Sequence, residues 1–453
     1  MEKTKPGFFE RANNWLKNSI TIRLMTIGIL ILLLLIPVTM VQDLIREREY
    51  RQSRAISEVS SKWGNAQTIS GLVLTVPYYS YTKVYDGNSE AYKLVESREY
   101  AHFLPDELIV NGEILPETRY RGIYKVIVYS CSLNLKGAFQ KPDFEELKIK
   151  EEHILWEEAY VSLGMSDLRG IQQNVSVNWN GEAYQFDPGV ESNDVIGNGI
   201  SAKVPIQQLT QAGDRQYSFA LDLQFNGSSS LNFIPIGKTT EVALHSNWSN
   251  PSFDGAFLPD ERDINAEGFQ ANWEVLHLNR PYPQSFKGSA AGISQSAFGV
   301  NLIIPVDEYQ KSMRSAKYAA MFIALTFLIF FFVQILSAVR IHPIQYIIVG
   351  LALCIFYILL IALSEHISFM YSYLIASTAI ISMITLYAHS ISKNIAITRV
   401  IGLILVILYT FIYSIIQMQD YALLMGGIGL FIVMAVVMYL SRKIDWYAVK
   451  SPK

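Results

Sequence analysis

The sequence predicts an integral membrane protein with six transmembrane helices, one before and five after a large antiparallel β-rich domain. Three observations predict this fold class. Short polar breaks divide the apolar region Tyr318–Leu440 into five runs of about 20 residues, the length that an α-helix needs to cross a bilayer. A further apolar run, Leu24–Val41, lies near the N-terminus. Between these regions the hydrophobic pattern has a period of two, which is typical of strands.

The N-terminal apolar run is interpreted as a signal anchor that stays in the membrane. The alternative is a cleaved signal peptide, because basic residues precede the run. However, the run is long for the apolar core of such a peptide, and no small-x-small cleavage site follows it. We therefore expect a cytoplasmic tail over residues 1–18 and the first transmembrane helix over residues 19–41.

The other five spans form a membrane region over residues 315–440, followed by a cytoplasmic tail over residues 441–453. Read as helices of a soluble protein, they would be apolar on every side with nothing to bury them, so a lipid bilayer is the expected partner. The predicted spans are Tyr318–Ala338, Tyr346–Leu363, Ile367–Tyr387, Ala396–Ile416 and Tyr421–Leu440.

Lys and Arg residues on short loops predict the orientation, because cytoplasmic loops carry an excess of them. Arg340, Lys393 and Arg399 fall on loops that lie on the same side as the two tails. The opposite loops, Ser364–His366 and Gln417–Asp420, contain neither Lys nor Arg. Both termini are therefore predicted to be cytoplasmic, with residues 42–314 outside.

The extracytoplasmic region is predicted to begin as a charged helix and then to change to strands. The helical period ends at Gly64-Asn65. Farther on, Asn111-Gly112, Asn180-Gly181 and Asn226-Gly227 each separate two strand-like runs. Asn-Gly pairs are typical of type I′ hairpin turns, in which both central residues need a positive φ. We therefore predict three hairpins within one or two antiparallel β domains.

A short internal repeat favours two β subdomains. The motif Phe-Leu-Pro-Asp-Glu occurs at Phe103–Glu107 and again at Phe257–Glu261. Chance or two similar turns explain five matching residues as well as duplication does, so the number of subdomains stays open. After the strands, Asp307 is a predicted N-cap, and Glu308–Lys317 is predicted to run straight into the second span.

Composition and motifs indicate no catalytic, metal or cofactor site. The net charge is −3, and no basic cluster suggests nucleic-acid binding. Gly-x-Ser-x-Gly, His-Glu-x-x-His and Cys-x-x-Cys motifs are absent from the sequence, and its histidines lack the spacing of metal ligands. Cys131 lies in the strand region and Cys354 in a predicted span, so we expect two unpaired thiols.

Two polar residues at the outer end of the third and fourth spans form the first candidate site. Glu365 and His366 place a carboxylate beside an imidazole, which could relay a proton or hold a ligand. The structural alternative is a tight loop in interfacial water, with Ser364 capping the next helix.

Polar residues at the inner side of the membrane form the second candidate group. Pro343 fits the first turn of the third span, where its missing N–H costs nothing. His342 and Gln345 then lie on one helix face and could bond to a neighbouring helix. Gln334, inside the second span, is predicted to do the same.

Motifs along nearly the whole chain resemble the CreD family of inner membrane proteins, also described as cell envelope integrity proteins. Their order and spacing carry the resemblance, which has two departures: Leu72 where Pro is expected after Gly71, and Gln334 where Glu is frequent. The motifs are Ser19–Ile27, Leu44–Arg48, Trp63-Gly64 with Gln67, Thr75–Tyr78, Arg121–Tyr124, Asp167–Ile171, Trp248 through Pro251–Phe253 to the second Phe-Leu-Pro, Arg340–Leu351, Phe356-Tyr357 and Leu363–His366.

The resemblance implies a bacterial inner-membrane protein of the envelope-stress response, linked to a two-component regulatory system and without a settled biochemical activity. The leading hypothesis is a non-enzymatic protein whose periplasmic domain binds an envelope protein or glycan. One alternative is a transporter or channel that uses the Glu365-His366 region. The other is a membrane sensor that signals through a partner, since both tails are short. The sequence leaves the oligomeric state open.

Overall fold

The computed structural model describes residues 20–86, 91–206, 216–290, 292–304, 308–337, 339–418 and 421–442. The chain divides into two compact units: Met1–Gln52 with Val306–Lys453, and Ser53–Pro305. We call these the membrane unit and the strand unit. The predicted tail over residues 1–18, most of the tail over residues 441–453, Asp420 and the predicted N-cap Asp307 lie outside the described residues.

Six helices in the described residues are long and apolar enough to cross a membrane, one before and five after the strands, as predicted. A shorter helix, α2, precedes the group of five. The helices are α1 (Ile20–Trp63), α2 (Glu308–Lys317), α3 (Ala319–Leu336), α4 (Pro343–Ser364), α5 (Phe369–Ser392), α6 (Ile395–Gln417) and α7 (Ala422–Ser441).

One residue, Tyr318, interrupts the passage from α2 to the second span, which corrects the prediction that Glu308–Lys317 runs straight into it. The Tyr318 N–H bonds to the Ser315 carbonyl, three residues back, so the last turn of α2 tightens. With φ of −87° and ψ of 1°, Tyr318 leaves the helical conformation before α3 begins.

The strand unit contains seventeen strands in its described residues. They are β1 (Gln67–Asp86), β2 (Ala91–Phe103), β3 (Glu107–Arg121), β4 (Tyr124–Gln140), β5 (Tyr160–Met165), β6 (Ser176–Trp179), β7 (Glu182–Gln185), β8 (Asp187–Pro188), β9 (Gly199–Lys203), β10 (Gln216–Ser228), β11 (Ser230–Ile234), β12 (Thr239–Ser246), β13 (Pro251–Gly255), β14 (Glu261–Asn265), β15 (Gly268–Leu276), β16 (Ser285–Lys287) and β17 (Phe298–Leu302).

The strands form two sheets. The nine-stranded sheet has the order β13-β17-β11-β1-β5-β9-β8, with β2 also paired to β1 and β16 to β2. The eight-stranded sheet has the order β14-β15-β12-β3-β4-β10-β6-β7. Most neighbours are antiparallel, as predicted, but β1 pairs with β11 and β3 with β12 in parallel. Each sheet is therefore mixed.

The two parallel pairs lie at equivalent places in the two sheets. In the nine-stranded sheet, β13-β17-β11 lies beside β1-β5-β9; in the other, β14-β15-β12 lies beside β3-β4-β10. Within each group of three the strands alternate in direction. Across a sheet, the first, second and third strands of one group point in the same directions as those of the other group. Six strands of each sheet thus form two matching groups of three, joined by a parallel seam.

The repeated Phe-Leu-Pro-Asp-Glu motif makes the same turn at both of its positions. The first copy connects β2 to β3 and the second connects β13 to β14, so each carries the chain from one sheet to the other. The Asp106 N–H bonds to the Ala138 carbonyl, and the Asp260 N–H bonds to the Asn272 carbonyl, both at 2.9 Å. In each case the acceptor is the strand partner of the glutamate that follows.

Inward-facing side chains of both sheets form the core of the strand unit. Strand β10 shows the pattern, since Phe219, Leu221 and Leu223 are buried while the residues between them are more exposed. Trp179 stacks on Tyr217 with ring centroids 5.5 Å apart. Burying each such side chain contributes about 1.5–3 kcal/mol. Because successive side chains of a strand point to opposite faces, every second residue is apolar, which is the period of two seen in the sequence. Cys131 and Cys354 are both buried and unpaired, as expected.

One of the three predicted Asn-Gly turns is confirmed. Asn180 and Gly181 have φ of 49° and 92° and connect β6 to β7. The other two predictions are wrong, because Asn111-Gly112 lies within β3 and Asn226-Gly227 within β10. A Cβ on Gly112 would lie 2.6 Å from side-chain atoms of neighbouring strands, and a Cβ on Gly227 would lie 2.3 Å from a tyrosine hydroxyl. These glycines serve close packing instead of a turn.

Candidate functional site

Glu365 joins three helices of the membrane unit. It follows α4, and its side chain is only 11% exposed. The Tyr309 hydroxyl of α2 donates a hydrogen bond to its Oε1 at 3.1 Å. Arg48 of α1 places Nη1 3.5 Å from the same oxygen. Since partial burial limits screening by water, this ion pair is stronger than one on an open surface. We call Arg48, Tyr309 and Glu365 the carboxylate cluster.

The neighbours of Glu365 have different surroundings. His366 is exposed, and its N–H bonds to the Leu363 carbonyl. Ser364 is buried and donates its hydroxyl to the Ile361 carbonyl at 3.0 Å, one turn back in α4. The prediction that Ser364 caps the next helix is therefore wrong, since Ser368 is the N-cap of α5. A proton relay through Glu365 and His366 stays a prediction.

His342 and Gln345 form reciprocal bonds at the start of α4. The His342 N–H donates to Gln345 Oε1 at 2.8 Å, and the Ile344 N–H donates to His342 Nδ1 at 3.3 Å. Pro343 occupies the first turn, as predicted. Instead of reaching a neighbouring helix, as we predicted, both side chains here accept hydrogen bonds from backbone N–H groups at the start of α4.

Gln334 makes the interhelical contact that the sequence predicts for it. It is buried in α3, and its Oε1 accepts a hydrogen bond from the Tyr346 hydroxyl of α4 at 3.0 Å. A buried amide with such a partner stabilises helix packing in an apolar surrounding.

Motif residues that are distant in sequence meet where α1 ends within the strand unit. The Asp167 carboxylate accepts hydrogen bonds from the Asn65 backbone and side chain at 3.0 and 2.9 Å, and from Arg169 Nε and Nη2 at 2.9 Å. The Arg169 hydrogen bonds, with those from Asn65, lower the pKa of Asp167 to about 2. Arg169 Nη1 also donates to the Ser61 carbonyl near the end of α1, one of the carbonyls that lack a helical partner.

Trp63, the last residue of α1, adds an aromatic anchor at the same place. Its Nε1 donates to the Tyr129 carbonyl at 3.2 Å. The Arg119 guanidinium lies over its ring, 3.6 Å from the centroid. Cation–π contacts of this kind contribute about 0.5–1 kcal/mol at exposed sites. The Trp63-Gly64 motif therefore serves to join the end of α1 to the strands.

His102 lies between a hydroxyl and a carboxylate in the core of the strand unit. Its Nδ1 is 3.0 Å from Thr75 Oγ1, and its Nε2 is 3.3 Å from Asp194 Oδ2. This order matches that of hydrolase triads, but Thr75 is 2% exposed and His102 is 1% exposed, so a substrate has no access. Elsewhere in the described ranges, no group of three or more His, Cys, Asp or Glu is placed to hold a metal ion.

The eight-stranded sheet carries a groove that sequence reasoning missed. Its volume is about 660 Å³. One row of its lining crosses five neighbouring strands in register: Gln270, His245, Glu113, Ser132 and Gln224.

A second row lies beside the first and contains Ala243, Asn111, Asn134 and Asp222. The alanine leaves a hollow between longer side chains. Asn134 Nδ2 donates to Asp222 Oδ1 at 2.6 Å, which holds the two side chains together. We call these two rows the polar groove. The alternating strand pattern in the sequence indicates that these polar side chains face outward. Only the parallel register of β12 beside β3 brings them together in one groove.

Comparison with known proteins decides the family. The model of the family described as inner membrane protein CreD matches residues 19–447. The chain belongs to the CreD family. Inner membrane protein CreD of Escherichia coli strain K12 is 33% identical over 429 residues, which cover 93% of each chain. Membership in CreD and the six apolar helices make this a multi-pass inner-membrane protein, in contact with the lipid bilayer.

Proposed function

We propose that this CreD protein is a non-enzymatic component of the envelope-stress response that binds an envelope component through its strand unit. The observation that carries the proposal is the polar groove, where one in-register row of polar side chains crosses five strands and a second row beside it crosses four of them. Residues 42–314 are periplasmic in this proposal, and both termini are cytoplasmic, as the Lys and Arg residues of the short loops favour.

Site-specific photo-crosslinking in living cells tests this function. A photoreactive amino acid replaces Asn134 in the full-length chain, and in a second strain it replaces Gln216. Both residues lie on the outer side of the eight-stranded sheet, but Gln216 does not line the groove. We expect an adduct with an envelope component from position 134 only. Adducts with cytosolic proteins, or no adduct at either position, would overturn the proposal.

A second candidate function, sensing, is favoured by the carboxylate cluster. Helices α1 and α2 flank the strand unit in the chain, and Glu365 contacts one residue of each. A ligand-dependent shift in either helix would therefore change the surroundings of one carboxylate at the end of α4.

Crosslinking from the N-terminal tail, compared between the native protein and Glu365→Gln, tests this function. A tail partner whose yield depends on Glu365 supports sensing, whereas solute flux lost in Glu365→Gln proteoliposomes supports transport instead.

A further inference from the structure

We infer that the polar groove takes an uncharged, hydroxyl-rich polysaccharide chain of the envelope. This inference rests on the proposed function and names its ligand class. The first argument is the amide content of the lining. Asn111, Asn134, Gln224 and Gln270 each carry two N–H donors and a carbonyl acceptor. Sugar hydroxyls also donate and accept, so neighbouring amides match neighbouring hydroxyls.

The charges of the lining disfavour anionic polymers. Glu113 and Asp222 are the carboxylates of the groove, and no Lys or Arg is among the residues described as lining it. Lys136 lies one row beyond, in register with Ala220. A phosphate-rich polymer would meet two like charges and no fork of N–H donors. Carboxylates do, however, accept hydrogen bonds from hydroxyl groups, so they fit an uncharged sugar.

Two contacts within the lining restrict four of its side chains before a ligand arrives. Asp222 Oδ1 already accepts from Asn134, and His245 Nε2 lies 3.4 Å from Glu113 Oε1. These contacts link strands β4 with β10 and β12 with β3. Less side-chain freedom is then lost on binding, which favours affinity.

The length of the groove favours a chain over a single sugar. A row that crosses five strands spans four inter-strand spacings of about 4.8 Å, or roughly 19 Å. No aromatic side chain is among the described lining residues, so ring stacking does not contribute. Affinity then comes from hydrogen bonds repeated along the ligand. We expect it to rise with oligomer length and to be weak for a monosaccharide.

Binding to the full-length protein in lipid nanodiscs tests the ligand class. The probes are β-linked N-acetylglucosamine oligomers of one to six units and inorganic polyphosphate, measured by titration calorimetry. Ala243→Trp fills the hollow of the groove. Its matched control is Ala220→Trp, an outward-facing alanine of the same sheet that does not line the groove.

We expect the longer oligomers to bind, the monomer and polyphosphate to bind far less, and Ala243→Trp to weaken binding at least about tenfold, as the loss of one or two hydrogen bonds would. Ala220→Trp should change affinity less than about twofold. Gln224→Ala, with Gln216→Ala as its control on the same strand, gives a milder test if the tryptophan variant does not fold.

Tighter binding of polyphosphate, glycan binding unaffected by Ala243→Trp and Gln224→Ala, or no glycan binding would each overturn the inference. The proposed function fails separately. If photo-crosslinking from position 134 captures an envelope protein while no glycan binds, the ligand class is wrong but the groove is a binding site. If neither experiment finds a ligand, both proposals fail.

Discussion

His102 links the stability of the strand unit to pH. Burial lowers the pKa of its imidazole below the ordinary value, and the nearby carboxylate of Asp194 opposes that shift only in part. The hydroxyl of Thr75 and the ring of Phe286, whose centroid lies 5.5 Å away, carry no charge to assist protonation. The folded state therefore disfavours the protonated imidazole.

This residue predicts acid sensitivity of folding. In the unfolded chain the imidazole takes up a proton near pH 6.5, whereas the folded protein resists it until a lower pH. Stability that is present at neutral pH is thus lost as pH falls below about 6.5. Thermal unfolding of the full-length protein in detergent, followed by tryptophan fluorescence, should show a lower midpoint at pH 5 than at pH 7.5.

The variant His102→Gln should remove that part of the pH dependence. His245→Gln is the control, because the His245 side chain is 61% exposed. An equal pH dependence in the native protein and in His102→Gln would contradict the assignment.

Replacing Gly112 by a larger residue is expected to disturb packing inside the strand unit. In Gly112→Ala the new Cβ would lie 2.6 Å from side-chain atoms of both Leu133 and Leu244. Such overpacking costs about 1–3 kcal/mol of unfolding free energy. Gly197→Ala is the matched control, because a Cβ there meets nothing within 4 Å. Denaturant titration should separate the two variants; equal stability would mean that the neighbouring leucines move aside freely.

At the scale of whole elements, the carboxylate cluster predicts a coupled effect of two charges. Arg48→Glu and Glu365→Arg should each destabilise the packing of α1 and α2 with α4, by about 1–3 kcal/mol for a partly buried pair. The double exchange restores opposite charges and should recover part of the loss.

Thermal stability in detergent checks the charge exchange, with Glu47 and Arg51 as the control pair. Those two residues also form an ion pair on α1, but their side chains are 52% and 56% exposed. Their exchange should change stability little. Additive losses at Arg48 and Glu365, without recovery in the double variant, would show that the two charges do not act on each other.

Helices could be predicted from the sequence far better than turns. A span such as Tyr346–Leu363 is marked by its length and apolarity, so it differs only slightly from the observed α4. An Asn-Gly pair is ambiguous, because glycine also serves where two strands pack closely. Gly112 and Gly181 cannot be told apart locally: one faces leucines of neighbouring strands, and the other has φ of 92° in an open turn.

The site residues show the same limit. Ionisable or polar groups in apolar surroundings are visible in a sequence, so Glu365 and Gln334 could be named. Their partners could not, since Arg48 lies more than 300 positions from Glu365 in the chain. The polar groove was hidden for the same reason, because β12 and β3 meet only through parallel pairing.

For the whole molecule, the proposed orientation predicts which segments a reagent can reach. A cysteine at exposed Gln216 should react with a membrane-impermeant maleimide in cells with a permeable outer membrane. A cysteine at Lys453 should react only after the inner membrane is opened. Cys131 and Cys354 are buried and contribute little background. The reverse pattern of labelling would place the strand unit in the cytoplasm and remove the basis of the proposed function.

The parallel seam in both sheets has a consequence for whether the strand unit can be divided. The grouped strands of the first half follow the chain order β1, β3, β4, β5, β9, β10. Their counterparts in the second half are β13, β14, β15, β17, β11 and β12, but there β11 and β12 come first in the chain. In strand order the two halves are therefore circular permutations of one six-stranded plan. Severing the link between β10 and β11 and parting the halves would bare β1, β11, β3 and β12 at the two seams, and also β2 and β16, which pair across the halves. Neither half should therefore survive alone without aggregating.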